Sequence, residues 1–431
     1  MQLEERDAAA ATAPAPGGEV TPSLRDRLGK AALALLLVPA AASAESTQPA
    51  NQLDITTLLY GEQGRAQVYE PIVRASRLFG NGQSLSGQLT VDVITGASPT
   101  GALPSGSVQT HTSASGRVTT SAAGEIPLND FQDQRVALDG EWQAPLGRLA
   151  ASTIGLHASH EKDYESLGAN GKVTFDLMQK LFTLTVGAGV NEDRVSPLGG
   201  TPEGLSDGNV LVDRNNSKRS TSVLFGLSRI LSRRWMVALD ASRTAERGYL
   251  TEPYKVISLM DPRTGVPVGQ LTDKRPSTRD RNSLLLSSVY HLTDDIFYST
   301  YRYYWDSWDV RSHTLELKYR HDLGDGWYLE PRLRLYQQTA ANFFTAGLVQ
   351  GADLPEFATA DYRLGKLSSV TLGAAFTFRA FESPGEWTVR ADYIRQQGDG
   401  SPDGAIGVQR RFDLAPGVNS VALVVAYSRR F

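Results

Sequence analysis

The chain has 431 residues, 43 of them Lys or Arg and 47 Asp or Glu, for a formal charge of -4. That balance leaves no basic excess for a nucleic acid partner. With no cysteine, the chain has no disulfides, thiolate metal sites, cysteine nucleophile or covalently attached c-type haem.

The N-terminal region reads as a targeting segment. A patternless lead over residues 1–24 is followed by Arg25, Arg27 and Lys30 and then the apolar run Ala31 to Val38. Ala42-Ser43-Ala44 gives a small-x-small cleavage site before Glu45. The expectation is a leader over 1–44 and a single domain over 45–431, with no lipobox cysteine. Beyond the leader no apolar run is long enough to cross a bilayer as a helix, and the mean hydropathy is -0.27.

From about residue 52 the chain alternates strand and connection. Leu85, Gly87, Leu89, Val91 and Val93 oppose Ser86, Gln88, Thr90 and Asp92. Ile154, Leu156 and Ala158 oppose His157, Ser159, Glu161 and Asp163; Leu167, Val173, Phe175 and Leu177 oppose Asn170, Lys172, Thr174 and Asp176. The same dyad recurs at 181–193 and 369–379. Such period-2 alternation marks half-buried strands, in a soluble sheet or in a transmembrane barrel.

The connections separate the two. Short turns fall near 80–83, 145–147, 178–180, 232–234, 293–295, 323–326 and 380–386; long polar loops fall near 96–132, 194–217, 250–279, 343–357 and 398–418. Counted from residue 52, the long loops share one end and the short turns the other, as in barrels with short periplasmic turns and long extracellular loops. The fold expected is all-β, an antiparallel up-and-down transmembrane barrel of about 16 strands. Segment 66–79 is the weakest strand because Pro71 lacks an amide donor. If 52–79 were an internal plug, the count would be about 14. Trp142, Trp235, Phe297, Trp305, Trp308, Trp327, Tyr328 and Trp387 sit at strand ends, where aromatic girdles meet the membrane interface.

The last strand is the cleanest. Val421, Leu423, Val425, Tyr427 and Phe431 share an apolar face with Arg429, against smaller residues on the other. A terminal aromatic of this kind is expected to be read by the barrel-assembly machinery and to close the wall. The location expected is the outer membrane of a Gram-negative bacterium, in contact with its lipid.

The other faces carry the chemistry. Candidate lumen residues are His157, Glu161, Asp163, Lys172 and Asp176, then Arg302, Asp306, Glu316, Lys318 and Arg320, then Glu330, Arg332, Arg334, Arg390 and Asp392. Asp361 and Arg363 read as part of the same set. A basic side chain facing lipid at the midplane costs about 2–4 kcal/mol, so these residues belong inside. There they can form cross-strand ion pairs, line a selective pore or hold a ligand. His157, Ser159, Glu161 and Asp163 also raise catalysis, but same-face residues two apart sit about 7 Å from each other, too far for a nucleophile–base hydrogen bond. A cross-strand partner such as Asp193, Lys172 or Asp176 would be needed. One His with carboxylates makes a weak metal site. No cofactor and no catalytic residue is expected.

The chain resembles the uncharacterised outer-membrane β-barrel proteins of Gram-negative bacteria that carry a domain-of-unknown-function label. The matching residues are Tyr60-Gly61-Glu62 with Arg65, Glu70-Pro71, Asp92 to Ala102, and His157-x-Ser159-x-Glu161-x-Asp163-Tyr164. Further on they are Tyr301 to Asp306 with Trp308, Ser312-His313-Thr314, Pro331-x-x-Arg334-x-Tyr336-x-Gln338 and Ala360 to Gly365. The resemblance implies a single outer-membrane barrel. Family members occur beside a flavin transferase and a small lipoprotein, which implies an extracytoplasmic redox setting as association only. Two functions follow as expectations. The first is a channel for a small polar solute through a charged lumen. The second is a plugged barrel scaffolding a periplasmic lipoprotein or redox partner. An outer-membrane hydrolase is the weaker third reading.

Overall fold

Inside a bilayer no water reaches the backbone, so a spanning sheet must pair every edge and close on itself. The computed structural model describes residues 50–431 apart from 113–117, 198, 213–215, 380–383 and 403. The leader expected over 1–44 lies outside the described residues. The strands are β1 (Ala50–Glu62), β2 (Gln67–Leu78), β3 (Ser84–Pro99), β4 (Gln109–Thr112), β5 (Val118–Ser121), β6 (Leu128–Pro145), β7 (Ala150–His160), β8 (Tyr164–Leu177), β9 (Phe182–Val195), β10 (Ser217–Ser232) and β11 (Trp235–Gly248). They continue as β12 (Val256–Met260), β13 (Pro267–Thr272), β14 (Thr278–His291), β15 (Ile296–Asp306), β16 (Arg311–Gly324), β17 (Trp327–Gln338), β18 (Leu348–Val349), β19 (Leu367–Arg379), β20 (Glu386–Gly398) and β21 (Val418–Arg430). Sixteen of these close a barrel in the order β1-β2-β3-β6-β7-β8-β9-β10-β11-β14-β15-β16-β17-β19-β20-β21. The remaining five lie in loops, as the sheet β13-β12-β18 and the hairpin β4-β5.

Closure runs through the terminal strand. β21 pairs antiparallel with β1 from Gln52↔Arg430 to Glu62↔Ser420. Beyond that register the Asn51 and Phe431 backbones exchange hydrogen bonds of 2.8 and 2.9 Å. Antiparallel pairing of first and last strands requires an even count, and sixteen satisfies it.

The plug expected as an alternative over 52–79 is not formed. Those residues are β1 and β2, paired from Ala50↔Leu78 to Gly61↔Gln67. Pro71 does leave a mark, because its missing N–H breaks the β2–β3 ladder between Tyr69↔Val93 and Ile72↔Thr90. The β1 side remains continuous, so the strand survives.

The alternation sorts the wall as the sequence suggests. Leu89, Leu156, Leu167, Val186, Phe225, Leu286, Leu335 and Leu372 face outward and are exposed. Gln88, Thr90, Asp92, Ser166, Thr185, Ser287 and Thr371 face inward and are buried. The apolar residues are on the outside because lipid, not a protein core, covers them.

The long connections, 100–127, 196–216, 249–277, 339–366 and 399–417, all lie at one end. The seven turns expected at the opposite end fall there. Three connections of four residues or fewer, 63–66, 161–163 and 307–310, also lie at the loop end, so not every short turn is periplasmic. One of two periplasmic hairpins with a two-residue connection, Asp325-Gly326, has φ of 55° and 77°, the doubly left-handed turn whose twist matches the strands. Trp235, Trp327 and Trp387 stand beside such turns, and Trp387 packs on Tyr427 at 4.8 Å. Two aromatics depart from the girdle. Trp308 is buried in a cluster with Val310, Ala341 and Leu364, and Tyr328 turns inward under the Arg320 guanidinium, 4.2 Å from its ring centroid.

Candidate functional site

The inward faces bring the candidate residues together in three networks, and loops build a fourth over the mouth. On β6 and β7, Arg135 Nε lies 2.9 Å from Asp92 Oδ2 and 3.9 Å from Glu161 Oε1. His157 Nδ1 is 2.9 Å from Asp139 Oδ1, so its cross-strand partner is Asp139 and not Asp193, Lys172 or Asp176. On the neighbouring strands Ser166 Oγ donates to Asp193 at 2.8 Å, and Lys218 Nζ lies 3.3 Å from the same carboxylate. Asp176 accepts from Thr183 at 3.0 Å, and Lys172 stands on the lumen face of β8, opposite Gly187.

A second network spans β11, β14 and β15. Arg281 meets Glu246 at 2.7 Å and Arg279 meets Asp306 at 2.7 Å. Tyr304 donates its hydroxyl to Asp306 at 2.7 Å. The third covers β16, β17 and β20. Arg332 lies 2.7 Å from Glu316 and 3.6 Å from Asp392, and Arg390 lies 2.9 Å from Asp392. Glu330 holds Lys318 at 3.5 Å and Arg320 at 3.3 Å. Arg302 and Arg334 share this inward face, Arg334 directly across the β16–β17 pair from Glu316. Every candidate lumen residue on a barrel strand therefore points inward, most of them within ion pairs.

Asp361 and Arg363 belong elsewhere. They lie in loop 339–366, where Tyr362–Leu364 forms a 3-10 turn capped by Asp361. Asp361 accepts from Arg275 at 2.9 Å and from Arg363 Nε at 2.8 Å, all three side chains being buried. Burial alone would raise the Asp361 carboxyl, but the Arg363 guanidinium, with Lys255 and Arg275, holds it far below the usual range. Burial pulls Arg275 down to about 10 and pushes the adjacent Asp273 carboxyl up.

This node belongs to a bridge across the mouth. Loop 249–277 leaves β11 and returns to β14, yet its Val256 amide bonds the Thr100 carbonyl at 2.9 Å beyond the end of β3. Lys255 Nζ donates to Ser98 Oγ at 3.0 Å on β3 itself. Val408 of loop 399–417 bonds Thr264 at 2.9 Å. β3 and β11 stand third and ninth in the ring of sixteen, so the loop has to cross the opening to make these bonds. Gly101, at φ 94°, permits the approach; a Cβ there would lie 2.3 Å from the Val256 carbonyl oxygen. The segment Gly96 to Ala102 runs from the end of β3 into this contact.

Asp133, Glu161 and Asp163 place carboxylate oxygens within 4.8 Å of one another. Such hard donors suit calcium or magnesium, but Arg135 stands beside Glu161 and the Tyr254 hydroxyl donates to Asp163. His157 is not in the group. The sequence reading missed Arg135, Asp139, Lys218, Asp240, Glu246, Arg279 and Arg281 as lumen candidates. The alternation Asp133-x-Arg135-x-Ala137-x-Asp139 was the available signal on β6; Arg279 was hidden because its strand begins within the stretch read as loop.

Closed wall, outward apolar band and inward charges define a transmembrane β-barrel of the Gram-negative outer membrane. The chain belongs to the DUF3570 family, described as a protein of unknown function, whose model matches residues 25–429. No curated protein matches it significantly. Among solved structures it is similar to OpdK of Pseudomonas aeruginosa with vanillate, at 10% identity and TM-score 0.42, covering 89% of this chain and 99% of that one. It is also similar to OccK5 (OpdH) of that organism, at 8% identity and TM-score 0.41 over 89% and 98%. The siderophore receptor PirA, again from P. aeruginosa, gives 8% and 0.38 over 81% and 56%. Likeness this distant says nothing of what passes the wall; the barrel stands on its own strand pairing.

Proposed function

We propose that this barrel is a channel for a small polar solute, narrowed at its extracellular mouth by loop 249–277. The observation that carries this reading is the lumen wall, where guanidiniums and carboxylates line β14 to β20 behind an apolar exterior. Charged groups facing the lumen tune which ions enter. Catalysis has less support, because among the described residues no hydroxyl hydrogen-bonds the His157–Asp139 pair at His157.

The mouth bridge also supports a second reading, a barrel plugged by its own loops that docks a periplasmic lipoprotein or redox partner. Single-channel recording of the refolded 45–431 chain separates the two. Steady openings are expected, with a shift toward cations in Arg332→Ala and Arg334→Ala. A folded barrel that stays silent favours the scaffold. Conduction with unaltered selectivity in both variants removes that face from the filter.

A further inference from the structure

Charge around the lumen is not evenly distributed. β14 to β20 present eight inward bases, Arg279, Arg281, Arg302, Lys318, Arg320 and Arg332 together with Arg334 and Arg390, against the four acids Asp306, Glu316, Glu330 and Asp392. Asp322, Arg379 and Glu386, at the periplasmic ends of their strands, are left out of this count. The arc from β3 to β11 reverses the balance. Its inward acids are Asp92, Asp133, Asp139, Glu141, Asp176 and Asp193, then Asp240 and Glu246, against the bases Arg135, Lys172 and Lys218. Eight bases less four acids leave +4 on one arc, and three bases less eight acids leave -5 on the other.

The arcs oppose each other. β17 is thirteenth in the ring and β7 fifth, eight places apart in sixteen. In the same way β16 stands across from β6, β19 from β8 and β20 from β9. Most ion pairs lie within one arc; Arg281–Glu246 joins the two where β11 meets β14, and without that pair the arcs keep +3 and -4. Low-dielectric walls focus such a field into the lumen.

We infer that the channel selects small zwitterions, solutes carrying a carboxylate at one end and an ammonium at the other. This rests on the channel reading and names its substrate class. A zwitterion aligns in a transverse field, its carboxylate toward Arg302 and Arg334 on β15 and β17, its ammonium toward Asp139 and Glu141 on β6, across the ring from both. A simple anion or cation of equal size is drawn to one wall and repelled by the other. With Asp54 and Glu70 against Arg74 on the inward faces of β1 and β2, the lumen total is -2, so salt selectivity should be weak although the wall is densely charged. A bare salt-bridge lattice would not require the imbalance to split between opposite arcs.

The test is proteoliposome swelling with the refolded 45–431 chain, using glycine against glycolate and ethanolammonium as probes of similar size. Glycine should enter severalfold faster than either ion. The preference should fall in Arg302→Gln/Arg334→Gln and in Asp139→Asn/Glu141→Gln, with heat-modifiable gel mobility confirming that each variant folds. Salt conductance with equal entry of all three probes overturns the inference and leaves the channel standing. A preference that survives both double variants also overturns it. A folded barrel that passes neither salt nor probe defeats both readings.

Discussion

Leu286→Arg should lower the folding stability of the barrel in lipid vesicles by about 2–4 kcal/mol. Leu286 lies near the middle of β14, faces outward and is half exposed to lipid. An arginine there must lose hydration or drag water and headgroups into the hydrocarbon. Ser283, three residues earlier on the same strand, faces the lumen opposite Tyr304. Ser283→Arg should cost a small fraction of that amount, because its charge stays on the lumen side. Denaturant unfolding of both variants in the same vesicles checks this. Equal destabilisation would mean that the inside and outside of β14 are misassigned, and the register of its neighbours with it.

Asp361→Ala should loosen the mouth without unfolding the wall. The substitution removes the carboxylate that Arg275 and Arg363 share. Taking one partner from a buried ion cluster costs about 3–5 kcal/mol. The loss falls on the loops, since no barrel ladder bond involves Asp361, and loops open locally at energies below global unfolding. The population with loop 249–277 displaced should rise about 10²–10⁴-fold. Limited proteolysis should then cut within 249–277 much faster than in the parent, and single-channel conductance should increase. Unchanged cleavage together with unchanged conductance would show that the Asp361 node does not hold the bridge.

Most of the wall was legible from sequence because lipid imposes a simple rule on each strand. Large apolar residues at every second position from 421 to 427 could face only the bilayer, and the paired strand shows them there. The candidate charges from Arg302 to Arg334 could not face lipid, and they point inward. Pro71 misled, because one missing amide breaks a ladder on one side only. The mouth was not legible. β12 pairs with β18 across nearly ninety residues of chain, and neither segment carries a periodicity that names its partner. Asp361-Tyr362-Arg363 alternates like a strand yet forms a capped turn, because the ion cluster with Arg275 fixes it there. Trp308 has the composition of a girdle residue, but loop residues cover it. Patterning reports which side of a strand meets lipid; it does not report which loops meet each other.

The claim at the centre of this account is a conducting lumen whose wall is the inward set of side chains. The absence of cysteine allows a direct measurement. Ser283→Cys places a thiol in the lumen and Leu284→Cys places one in lipid. Single-channel current is recorded for each while a charged, membrane-impermeant thiol reagent is added. A stepwise fall in current with Ser283→Cys and none with Leu284→Cys is the predicted result. A fall with Leu284→Cys alone, no fall with either in a conducting barrel, or no current at all would contradict the account.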